Sequence, residues 1–196
     1  MSILINRNYT LIIDKSGSMA TRDQANGKSR WQAAQESTLA LAAKCEELDP
    51  DGITVYTFSN RFKRYDNVTA SKVSQIFQEN EPMGGTNLAA VLQDAINHHL
   101  QSGKPETILV VTDGEPDDRK AVFQVIIQAT KKLKSDEELG ISFIQIGNDP
   151  QATEFLKALD DQLQGAGAQF DIVDTVTFED MADMTLQEVL MSAIFN

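Results

Sequence analysis

Cysteine is almost missing from this 196-residue chain: Cys45 stands alone, so no disulfide can form within it. Cys45 falls on the apolar side of a helical pattern, where a buried, reduced thiol is expected. Basic residues are also scarce, 17 Lys and Arg against 29 Asp and Glu, for a formal net charge of −12. That balance speaks against nucleic acid, whose affinity comes largely from phosphate neutralisation, and against an anionic membrane surface. It suits a cation or a basic partner better. No run approaches the ~18 apolar residues of a membrane span. The opening Met1-Ser2-Ile3-Leu4-Ile5-Asn6-Arg7-Asn8 has no basic start, long apolar run or small-residue cleavage site. A soluble, cytoplasmic protein is the expectation. There is no internal repeat and no low-complexity tract, and the length fits one α/β domain over 1–196.

What is present is an alternation of two periodicities. Tyr9-Thr10-Leu11-Ile12-Ile13 is a short apolar, β-branched run ending at Asp14, which predicts a buried strand. Trp31, Ala34, Thr38, Leu41, Cys45 and Leu48 then recur at helical spacing, and Pro50-Asp51-Gly52 punctuates the end of that helix. Further strands are expected at Ile53 to Phe58, Phe62 to Tyr65, Thr107 to Thr112, Ile141 to Ile146 and Phe170 to Val173. Helical patterns lie between them, and a last helix carries Leu186, Val189, Leu190 and Ile194. Strands alternating with helices imply right-handed crossovers. The expected fold class is α/β, a Rossmann-like, doubly wound and mainly parallel sheet of about six strands flanked by helices.

In open parallel sheets, ligands bind beyond the carboxyl ends of the strands, so the polar residues of those turns matter most. Asp14-Lys15-Ser16-Gly17-Ser18 follows the first strand directly. Two-residue steps let Asp14, Ser16 and Ser18 curl around one point, with Gly17 permitting the turn. Thr112-Asp113-Gly114-Glu115-Pro116 puts a second carboxylate at the same edge, and Gly84-Gly85-Thr86 offers another hydroxyl just before a helix. Two carboxylates and three hydroxyls form an all-oxygen set. Hard divalent cations such as Mg²⁺ prefer such ligands and keep water in the remaining positions.

Asp-x-Ser-x-Ser after the first strand, a distant Thr and a later Asp resemble the metal-ion-dependent adhesion site of von Willebrand factor A-type domains. The resemblance covers essentially the whole chain, since the order of strands and helices also fits. It implies that Ser16 and Ser18 ligate a divalent metal directly, and that Thr86 and Asp113 do so directly or through water. Asp14 would act mostly through water or by hydrogen bonding. Mg²⁺ is the expected ion, with Mn²⁺ and Ca²⁺ as alternatives. The resemblance further implies a partner protein that donates an Asp or Glu to the metal. It also implies a switch between Thr86 and Asp113 as direct ligand that moves the final helix. Stand-alone intracellular members of the family in bacteria are the nearer match. These act as accessory subunits, some with ATPases of the AAA+ type, some in stress or metal-resistance systems. Two departures surround the site. Lys15 fills the free position of the first motif, and Arg22, Lys28 and Arg30 are expected as a basic rim from the long stretch Ala20 to Arg30.

A rival reading is a metal-dependent, phosphatase-like hydrolase at the same edge. Enzymes of that topology usually open with Asp-x-Asp, and here Ser16 stands where the second Asp would be. Neither a Cys/His set, a Ser/His/Asp set nor a Gly-x-x-x-x-Gly-Lys loop is visible, so no catalysis is expected. His98, His99 and Trp31 read as structural. Glu115, Asp117 and Asp118 read as a solvated acidic rim, and Thr86 competes with Asn87 for a helix cap.

Overall fold

Glu106–Thr112 (β4) is buried at all seven positions, as a strand covered on both faces must be. The chain is described here by a computed structural model that covers residues 3–195; Met1 and Ser2, which open the N-terminal segment read above, lie outside the described residues. Beside β4 lie β1 (Asn8–Asp14), β2 (Ile53–Phe58), β3 (Phe62–Val68), β5 (Leu139–Gln145) and β6 (Val173–Thr177). They form one six-stranded sheet in the order β3-β2-β1-β4-β5-β6. All neighbours pair in parallel except β3, which runs antiparallel to β2 at one edge. The expected α/β sheet of about six strands is observed.

Period-two alternation splits each apolar strand between two cores. Ile12, Ile108, Val110 and Phe143 face α3 (Leu88–Ser102), α4 (Arg119–Thr130) and α5 (Pro150–Asp161). Leu11, Ile13, Leu109 and Val111 face α1 (Arg30–Leu48), α2 (Ala70–Glu79) and α7 (Leu186–Ser192). A single turn, α6 (Phe178–Met181), precedes α7. Trp31 packs in the second core with its ring centroid 4.6 Å from that of Phe77, and Cys45 is a buried free thiol. Among the described residues, no helix is long and apolar enough to cross a membrane.

The last strand differs from expectation. Phe170 to Val173 reads as a strand, yet β6 begins at Val173 and continues through the more polar Asp174–Thr177. Ile172 is buried, and its carbonyl accepts from the Ile141 N–H at 2.8 Å. The apolar cluster thus marks the burial of an approaching loop, and the ladder itself starts later.

The topology also fixes where a ligand can sit. From β1 the chain moves outward to β2 and β3, then returns to place β4 on the other side of β1. The strand order therefore reverses between β1 and β4, which opens a crevice at their carboxyl ends. Asp14 is the last residue of β1 and Asp113 the first after β4.

Candidate metal centre

Asp14 is fully buried, and both of its carboxylate oxygens are engaged. Oδ1 accepts from the Ser16 N–H at 2.7 Å, which curls the chain after β1. Oδ2 accepts from the Thr112 hydroxyl at 2.7 Å, and Thr112 Oγ1 in turn accepts the Gly114 N–H at 3.1 Å. One carboxylate thereby fixes both the first turn and the turn after β4. The curl leaves Ser16 Oγ and Ser18 Oγ 3.1 Å apart, with Ser16 buried and Ser18 exposed at the mouth. Gly17 needs no positive φ for this; it opens a single helical turn and donates its N–H to the Gly84 carbonyl at 3.0 Å.

That hydrogen bond brings in the third loop. Met83 N–H also donates to the Lys15 carbonyl at 2.8 Å, so the loop before α3 is stitched to the first turn on both sides. Gly84 takes φ +81°, and a β-carbon there would collide with the Asn60 side chain, so glycine is required. Thr86 follows, 8% exposed, its N–H bound by both carboxylate oxygens of Asp117 at 3.0 Å. Asn87, not Thr86, caps α3 by accepting from Ala90 N–H. The structure therefore gathers Asp14, Ser16, Ser18 and Asp113 at one crevice and pins the Thr86 loop against them by its backbone.

Burial pushes the Asp14 carboxyl well above the usual carboxylate range, and the charge of Asp113 adds to that; the bonds from Ser16 and Thr112 offset part of it. No basic side chain pairs with Asp14 among the described residues. Asp113, 5% exposed, does have a partner: Arg30 Nη1 donates to its Oδ2 at 2.9 Å. Arg30 also reaches Asp23, with Nη2 to Oδ2 at 2.6 Å. The bonds from Arg30 hold the Asp23 carboxyl below its usual value. Two carboxylates and one partly shielded guanidinium leave the crevice short of positive charge.

The donor set fits a hard cation. An octahedral Mg²⁺ with bonds of about 2.1 Å separates neighbouring ligand oxygens by about 2.9 Å. The two serine hydroxyls stand at 3.1 Å. Among the described residues, no cluster of three His, Cys, Asp or Glu is placed to hold a metal, so an ion at this crevice would need hydroxyls as well as carboxylates.

Several expectations around the site change. Of the basic rim, Arg30 turns inward onto Asp113, whereas Arg22 binds the Gly27 carbonyl and Lys28 pairs with Glu36. The acidic rim is not simply solvated: Asp117 clamps Thr86, Asp118 caps α4 by accepting from Ala121 N–H, and Glu115 pairs with Arg119. Sequence reasoning missed the roles of Thr112, Asp117 and Arg30. A hydroxyl at the last position of β4 was a readable signal for Thr112. The other two act across 31 and 83 residues and had no local signature. His99 is buried in α3 and its pKa is lowered by burial, in keeping with a structural role.

With that geometry in view, similarity to known proteins can be placed. The family model for the von Willebrand factor type A domain matches residues 9–115, more than half of the chain, from β1 to just past Asp113. The von Willebrand factor A domain-containing protein 5A of Rattus norvegicus is 25% identical over 136 residues, 63% of this chain. The match takes in only 16% of that protein's length. Among solved structures, the D319A mutant of the PilB minor pilin from Streptococcus sanguinis superposes with a TM-score of 0.65 at 14% identity, covering 96% of this chain and 60% of that one. The SpRpn10 VWA domain gives a TM-score of 0.60 at 13% identity, covering 94% of each chain. Manganese-loaded Plasmodium vivax TRAP protein gives 0.59 at 15% identity over 92% of this chain and 72% of that one. At these identities the structural likeness is one of fold.

Proposed function

This chain belongs to the von Willebrand factor type A domain family, and from that premise we propose that it is a binding module that holds a divalent cation, Mg²⁺ first, and docks an acidic residue of a partner protein. The carrying observation is the fully buried Asp14 carboxylate, which has no cationic partner among the described residues and curls the turn that leaves two serine oxygens 3.1 Å apart. An unpaired buried charge is costly unless something neutralises it. Ser16 and Ser18 would ligate the cation directly, Thr86 and Asp113 directly or through water, and Asp14 from behind. The metal supplies a Lewis-acidic coordination position for the partner's carboxylate. A protein of the same fold, the Plasmodium vivax TRAP protein, is manganese-loaded, which is consistent with a divalent ion.

Ser18, exposed at the rim, leaves the mouth accessible, while Arg30 holds one oxygen of Asp113 and limits the negative charge presented. An accessory subunit of a bacterial cytoplasmic complex, with an AAA+ ATPase among the candidate partners, is the role the family resemblance supports. The hydrolase reading is disfavoured by Asp14 itself. A nucleophile needs a free oxygen facing substrate, and both of its oxygens are tied down in a buried position. No turnover of p-nitrophenyl phosphate in Mg²⁺ is expected.

Thermal unfolding tests the reading. Chelator-treated protein should gain stability in millimolar Mg²⁺ or Mn²⁺, by about 2.7 kcal/mol at a hundredfold excess over Kd. Asp14→Ala should gain nothing. Equal melting temperatures with and without metal in the unaltered protein would sink the proposal.

A further inference from the structure

Next to the metal crevice lies a second concavity of about 420 Å³, between the end of β2, the start of β3 and the loop before α3. Its walls carry Lys15, Arg61 and Lys63, and no acidic side chain lines it. Three cations in one cleft are notable in a chain of net charge −12. Among the described residues, none of the three forms an ion pair, although the Lys63 ammonium lies 4.8 Å from the centroid of the Tyr65 ring. Lys15 is held in place by its backbone, its N–H donating to the Phe58 carbonyl at 2.8 Å.

Two further observations point to a ligand. Thr57 is 1% exposed and lines the cleft, yet its hydroxyl has no hydrogen-bond partner. A buried hydroxyl without a partner is destabilising, and a ligand acceptor would satisfy it. Met83, 62% exposed, also lines the cleft and gives it an apolar surface.

We propose that this cleft is a second anchor for the same partner, taking an acidic side chain and a neighbouring apolar one from a single extended segment. The inference rests on the metal reading above. One carboxylate meets the metal; a second accepts hydrogen bonds from Thr57 and the cleft's cations. The apolar residue packs against Met83. Lys15 lies between Asp14 and Ser16 in the chain, so the two anchors adjoin. Each extended residue adds about 3.3 Å, so one short segment can enter both. The overall charge of −12 opposes a long polyanion, so the favoured occupant is an acidic-apolar peptide segment and not nucleic acid.

The test is selection of a random heptapeptide display library on the immobilised full chain, in millimolar Mg²⁺ and in EDTA. It is run on the unaltered protein and on a variant carrying Arg61→Glu and Lys63→Glu. The expected pool in Mg²⁺ carries two acidic residues with an apolar residue between. The charge-reversed variant should keep the metal-dependent acid, lose the second and bind a selected peptide about tenfold more weakly. Its Mg²⁺-induced rise in melting temperature should be unchanged. Thr57→Val, close in shape, should weaken the same peptide several-fold while raising the melting temperature without ligand. A consensus with one acid only, unchanged affinity after charge reversal, or no enrichment overturns the proposal. A two-acid consensus that survives EDTA but not charge reversal keeps the cleft and removes the metal reading instead.

Discussion

The two ends of the β1–β4 pair both bury charge, and they do it in opposite ways. At the amino end Arg7, 1% exposed, donates to the Thr107 hydroxyl and the Glu137 carbonyl at 2.7 Å and to the Glu106 carbonyl at 2.9 Å. The Glu106 carboxylate is close by and accepts from the Thr10 hydroxyl at 3.2 Å. Arg7 and Glu106 share that pocket, with the buried Asp49 also acting on Glu106, and the guanidinium's donors are taken up by the chain itself. At the carboxyl end two carboxylates lie together: Asp113 has one guanidinium, which Asp23 also claims, and Asp14 has none among the described residues. In the first cluster the guanidinium is satisfied within the fold; in the second the buried Asp14 carboxylate has no basic side chain beside it among the described residues, which is the imbalance that the proposed cation would offset. Buried polarity alone therefore does not mark a functional site; an unbalanced charge that opens to solvent does.

The sharpest way to break this contrast is to remove the charge at each end. Arg7→Met should cost about 3–5 kcal/mol in urea unfolding, equally with and without Mg²⁺, because it strands the buried acceptors around Glu106. Asp14→Asn should do the reverse in chelator at pH 8. It removes a buried charge without a counter-ion and should stabilise by roughly 1–2 kcal/mol, while abolishing any gain from Mg²⁺.

The pH dependence separates the two carboxylates further. Burial raises Glu106 to about 7 and also lifts Asp14 above its usual range. A raised folded-state value means that the folded protein binds the proton more tightly than the unfolded chain. Stability without metal should therefore fall as pH climbs from the unfolded carboxyl range, near 4, through the raised values. Mg²⁺ should flatten the part due to Asp14 and leave the part due to Glu106, which Glu106→Gln removes. A pH profile in chelator that stays flat from 4 to 8 would contradict the electrostatics of both ends.

Smaller effects refine the carboxyl end. Arg30→Gln removes a positive charge beside Asp113 and should tighten Mg²⁺ several-fold, by about 1 kcal/mol at a partly screened distance. Weaker metal binding would mean that Arg30 positions Asp113 more than it repels the ion. Glu115→Gln, which breaks an ion pair more than a third exposed on both sides, should change stability by less than about 0.5 kcal/mol and leave the metal response intact.

Much of the fold was legible because its strands are continuous apolar runs such as Thr107 to Thr112, and such runs fit only a covered parallel sheet. Phe170 to Val173 misled for the same reason, since hydrophobicity reports burial and not ladder hydrogen bonds. In the site, Asp14, Ser16 and Ser18 were readable from spacing because their geometry is local. Arg30 on Asp113 and Asp117 on Thr86 were not, because only the assembled fold brings them together. The unpartnered Thr57 hydroxyl was equally hidden, being one more β-branched residue in a strand.

The most direct measurement is calorimetric titration of Mg²⁺ into chelator-stripped protein, with Asp14→Asn as the control. A single-site isotherm in the unaltered protein that disappears in the variant is the expected result. Heat indistinguishable from dilution in both, or the same isotherm in both, would contradict the assignment of the cation to the crevice between β1 and β4.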